Sequence, residues 1–86
     1  MNRLCRALIW NACFLELSDE GVVDADVAVE QLEQMSNILQ QGSAQEQAAF
    51  VAECASEAVR LRADGGARNA KVAEFIANLP ESFGIV

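Results

Sequence analysis

The sequence predicts an all-α protein: a compact bundle of four helices, over about 2–17, 24–41, 44–63 and 67–79, with the C-terminal tail packed back onto it. Composition is the first reason. Ala, Leu, Glu and Gln, all strong helix formers, dominate, while Pro occurs once and alternating β-branched runs are rare. Periodicity is the second. In DADVAVEQLEQMSNILQQ, Ala25, Ala28, Leu32, Met35 and Leu39 recur every three or four residues, so they share one face while Asp26, Glu30, Glu33 and Asn37 lie off it. Punctuation is the third: 18–23, Gly42-Ser43, Asp64-Gly65-Gly66 and Pro80 each break the helical pattern. A chain of 86 residues makes one domain, 1–86, and buries roughly 60 to 65% of its extended surface in a modest core.

The first helix has Leu4, Leu8, Ala12 and Leu15, flanked by Cys5 and Phe14, as its expected core face. Ile9, Trp10, Cys13 and Leu17 fall on the other side, so the helix is apolar almost all round and needs cover on two sides or a second molecule. Trp10 is either a covered core residue or an interface anchor. The apolar start after Arg3 and Arg6 is too short to span a bilayer and lacks a signal-peptide cleavage site, so a structural helix is expected. Asp24 or Asp26 should N-cap the second helix. Gly42 is placed to follow its C-terminus, and Ser43-Ala-Gln-Glu46 forms a capping box that opens the third helix at once, making an antiparallel pair. The third helix gathers Phe50, Val51, Cys54, Ala55, Ala58 and Leu61, with Arg60 and Arg62 complementing its dipole near the end. The fourth carries Val72, Phe75, Ile76 and Leu79 and stops at Pro80, after which Phe83, Ile85 and Val86 are apolar enough to fold back.

Charge is segregated along the chain. The net charge is -7, yet all six basic residues lie outside 7–59, a segment with ten acidic residues and no basic one. Seven of those ten, Glu16, Asp19, Glu20, Asp24, Asp26, Glu30 and Glu33, fall within eighteen positions. Such a field repels nucleic acid and anionic membranes and attracts basic proteins or cations. A solvated face that only keeps the protein soluble is the plainer alternative.

Chemical motifs are missing. There is no histidine, the carboxylates fall on faces expected to be exposed, and Cys5, Cys13 and Cys54 sit in apolar stripes without a paired spacing. General acid-base catalysis, an activated thiol, a zinc site and a His-containing di-iron bundle all lack their residues. The stretch 19–30 has the length of a calcium loop but puts Gly21 and Val23 at ligand positions and Asp24 where a glycine is required. Gly65-Gly66 matches no phosphate-binding pattern. The expectation is a non-enzyme without metal or cofactor, its three thiols reduced in the cytoplasm.

The size, the basic-free run over 7–59 and the ending EFIANLPESFGI resemble the small acidic helical immunity proteins that bacteria make against toxins, and some acidic antitoxins. The resemblance implies docking over a basic active site or substrate cleft of a partner. The surface expected to dock is Asp19, Glu20, Asp24, Asp26, Glu30 and Glu33, with Trp10 as the apolar anchor. The alternative is a homo-oligomeric structural or adaptor module paired through Ile9, Trp10, Cys13 and Leu17 of the first helix.

Overall fold

Among the described residues four helices account for most of the chain: α1 Arg3–Leu17, α2 Ala25–Gln40, α3 Ala44–Asp64 and α4 Ala67–Ser82. The computed structural model describes residues 3–19 and 21–86. Asn2, where the first helix was expected to begin, and Glu20 of the charged loop lie outside the described residues. α3 and α4 share the broadest interface, α1 touches all three other helices, and α2 leans on α1 and only lightly on α3. The molecule measures 34 × 33 × 20 Å, so it is about two helix diameters thick.

Local chemistry sets the helix ends. Asp24, in extended backbone, accepts hydrogen bonds from the backbone N–H groups of Asp26 (2.9 Å) and Val27 (3.3 Å) and starts α2. The Ser43–Glu46 capping box is complete, with Glu46 N–H donating to Ser43 Oγ at 3.1 Å and Ser43 N–H to Glu46 Oε1 at 2.9 Å. Gly42, however, does not take the left-handed conformation of a C′ glycine. Space explains the residue instead: a Cβ there would sit 3.1 Å from the Leu39 carbonyl oxygen.

Pro80 does not end α4, which continues through it to Ser82. Only one helical hydrogen bond is forfeited by its missing N–H, and buried Leu79, Pro80 and Phe83 reward the extra turn. A Schellman motif then closes the helix. Gly84 has φ +71°, its N–H donates to the Glu81 carbonyl, and the Ile85 N–H donates to the Pro80 carbonyl, both at 3.0 Å. The tail does fold back: Phe83 is buried with its ring 6.0 Å from that of Phe50, Ile85 packs on the core, and Val86 is exposed.

The core face of α1 is rotated from the one expected: Ala12, Cys5 and the half-buried Leu8 face inward as expected, and Ile9 and Cys13 join them. Cys5, Ile9, Ala12 and Cys13 are buried, while Leu4 and Phe14 are exposed. On a helix apolar around most of its circumference, periodicity cannot choose the inward arc, and the neighbours choose it. α3 turns differently from expectation too. Its buried side holds Phe50, Cys54, Ala58 and Leu61 as expected, but also Glu53 and Glu57, while Ala55 faces solvent. α2 is the shallowest element: Ala28 is its one fully buried residue, and Leu32, Met35 and Leu39 rest half-buried against the core.

Candidate functional site

The two buried glutamates explain where α1 and α3 meet. Glu57, 2% exposed, receives a bidentate Arg60, with Nε at 3.3 Å from Oε1 and Nη2 at 3.0 Å from Oε2. Trp10 Nε1 donates to Glu57 Oε2 at 3.0 Å. Arg6 from α1 lies between the two carboxylates, 3.6 Å from Glu53 Oε1 and 3.7 Å from Glu57 Oε1. The hydrogen bond from Arg60 lowers the Glu57 pKa most, ahead of the Trp10 hydrogen bond and the guanidinium charges, and these outweigh the burial that pushes it up. Arg60 is thus committed to Glu57 and to Asp64, 3.6 Å away, and Arg62 alone is the basic residue of the last turn of α3.

The acidic surface lies elsewhere. Asp19, Asp24, Asp26, Glu30 and Glu33 are exposed, and none joins an ion pair among the described residues. Asp24 is spent partly as the N-cap, and Asp19 holds the loop by accepting the N–H groups of Val22 and Val23 on its carbonyl. Residues 26, 29, 30 and 33 follow one another along a single face of α2. Glu33 ends this row at the wall of a groove of about 440 Å³ between α2 and α4, where Glu16 of α1 joins it. Val29, Leu32 and Phe75 supply its apolar surface, with buried Leu79 beneath them. One end is tied by the Phe83 carbonyl, which accepts from Ser36 Oγ (3.0 Å) and Gln40 Nε2 (2.8 Å).

Trp10 does not belong to that groove. It is 38% exposed and stands with Phe14 and Leu17 in a second groove, of about 500 Å³, between α1 and α4, beside Arg68 and Lys71. The expected twofold surface is also altered, since Ile9 and Cys13 are buried and Phe14 takes their place beside Trp10 and Leu17. The network at Glu53 and Glu57 depends on contacts between helices distant in sequence; its one local sign is Arg6, a cation on a mostly apolar helix, here half-exposed.

The three cysteines are buried and none is in a disulfide among the described residues. Burial pushes Cys13 up to about 11 and Cys54 to about 12; the nearby thiols of Cys5 and Cys13 and the Glu53 carboxylate add to the rise at Cys54, and Glu57 adds to it at Cys13. Such thiols are not nucleophiles at neutral pH. Among the described residues no group of three or more His, Cys, Asp or Glu side chains is arranged to hold a metal ion. Nor is any helix among them long and apolar enough to cross a membrane. Comparison with protein-family models, with curated protein sequences and with solved structures finds no match to this chain.

Proposed function

We propose that this chain is a small acidic protein-binding protein, an immunity-type inhibitor that neutralises a bacterial toxin by docking on its basic surface and blocking it. Its main support is the row of exposed carboxylates on α2 and the preceding loop, Asp19, Asp24, Asp26, Glu30 and Glu33, which stays outside every ion pair among the described residues while Arg6 and Arg60 are engaged by Glu53 and Glu57. Charge left uncompensated in this way draws a cationic partner quickly and fixes its orientation. The cytoplasm, where free thiols remain reduced, is the compartment that suits Cys5, Cys13 and Cys54.

The test begins with partners captured from lysate of the source cells, followed by association kinetics across a salt series. Reversing Glu30 and Glu33 to Lys should slow association by about tenfold and flatten its dependence on salt. A captured partner that associates with the double variant at the wild-type rate would remove the proposal. A second reading, a homo-oligomeric structural or adaptor module, draws on the exposed Trp10, Phe14 and Leu17 of α1. Light scattering separates the two: a stable dimer with Trp10 shielded from quenchers favours self-association, and a monomer with quenchable Trp10 favours a site kept for another protein.

A further inference from the structure

We infer that the α2–α4 groove is the seat of one particular kind of occupant, a basic amphipathic helix contributed by the partner. This rests on the cationic-partner reading above and says where and in what form the partner binds. No Cα atom of α2 comes within 8 Å of one in α4, although both helices pack on the same core. The gap between them is the groove of about 440 Å³. Its apolar surface is incompletely covered: Val29 is 52% exposed, and Leu32 and Phe75 are half-buried.

The form of the occupant follows from what lines the groove. Both walls are helical, residues 29–37 of α2 and 75–82 of α4, about 12 Å of helix each, and they offer side chains rather than a free sheet edge. An extended peptide laid there would find no ladder of backbone partners for its own N–H and C=O groups. A helix brings its backbone already satisfied and needs only apolar residues at i, i+3 or i+4, and i+7 to meet Val29 and Leu32 on one side and Phe75 on the other. Charge decides its sign. Glu16 and Glu33 stand in the groove, and Asp26 and Glu30 continue the same face of α2, so lysine or arginine flanking the apolar stripe finds carboxylates on reaching the rim. A second copy of this chain does not fit, because its net charge of -7 and its acidic α2 would set carboxylate against carboxylate.

The probes are two synthetic peptides of about 18 residues, long enough for a stable helix to cover the groove and reach the carboxylates along its rim. Both contain only Leu and Lys in the same proportion; one has a continuous helical apolar face and the other the same residues permuted so that it has none. Binding to the intact protein is read by fluorescence anisotropy of the labelled peptides at low and moderate salt. The amphipathic peptide should bind about tenfold more tightly than its permuted twin. The decisive variant is Val29→Glu, which adds a negative charge to an exposed site in the groove. Attraction by field alone would strengthen with it; occupancy of the groove predicts about fivefold weaker binding. Val59→Glu, which adds the same charge at an exposed position on α3, should leave the amphipathic peptide bound as tightly as before or slightly tighter, and circular dichroism checks that both variants fold. Equal affinity for the two peptides, or Val29→Glu behaving like Val59→Glu, overturns the groove while leaving the cationic-partner reading in place. Absence of binding by either peptide even at low salt overturns both.

Discussion

Glu57 is the residue on which the junction of α1 and α3 turns. A carboxylate at 2% exposure is stable as an anion because Arg60 grips it through two N–H groups and Trp10 through a third. Glu57→Gln should cost about 1.5 kcal/mol at neutral pH, the low end for hydrogen bonds to a charged group, since both guanidiniums are partly in solvent. The pH dependence has a definite sign. Because the folded-state pKa lies below the ordinary value of 4.5, the stabilisation is fully present above about pH 4.5 and is lost as pH falls below it. Chemical denaturation at a series of pH values should therefore show a smaller loss of stability on acidification for Glu57→Gln than for the wild type. The buried thiols make a separate prediction. With Cys13 raised from 9.0 to about 11, its thiolate is about 100-fold scarcer than for a free cysteine, and burial adds steric exclusion. Alkylation in the native state should be slow at all three sites and fast in denaturant, and prompt labelling of Cys54 without denaturant would contradict its burial.

At the scale of elements, the C-terminal turn controls more than its length suggests. Phe83 packs against Phe50, and its carbonyl receives Ser36 and Gln40 of α2. A chain truncated after Pro80 should lose about 3–5 kcal/mol from the missing aromatic alone, comparable with the whole stability of a domain this size. A thermal melt unchanged by the truncation would mean that the tail contributes nothing. Gly84→Ala is the gentler probe: it forces a side chain into the left-handed region and sets its Cβ 2.9 Å from Gln40 Nε2, for a loss of about 1–2 kcal/mol. Local signals such as these divide what the sequence discloses from what it hides. The Asp24 cap and the Ser43–Glu46 box depend on residues a few positions apart, and both are legible. Pro80 misleads because helix termination is a local rule overruled by the burial of Leu79, Pro80 and Phe83. The inward arc of α1 is illegible because Ile9 and Leu8 are equally apolar, and only the Arg6 and Trp10 contacts to α3, some 47 residues away for Trp10, select it.

For the molecule as a whole, charge and shape have to be weighed together. The acidic row was visible in the sequence, since a run without any cation needs no structure to detect. The groove beside it was not, because it depends on how far apart α2 and α4 lie after both have docked. Asp26 and Glu30, at i and i+4, repel one another, as do the other carboxylates of this surface, and salt screens that repulsion over about 8–10 Å at physiological strength. The melting temperature should therefore rise as sodium chloride increases from about 20 to about 300 mM, and Glu30→Lys should raise it at low salt. A melting temperature that falls throughout this range would show the ion pairs at Glu53 and Glu57 to outweigh the acidic row.

The Phe83 turn also governs the order in which the protein can come into being on the ribosome. Phe50 lacks its ring partner, and α2 lacks the acceptor that fastens its C-terminal half, until residue 83 has been translated and has cleared the exit tunnel. The contacts that α3 and α2 make with this turn therefore form only after residue 83 has been synthesised, later than those the first three helices can make among themselves.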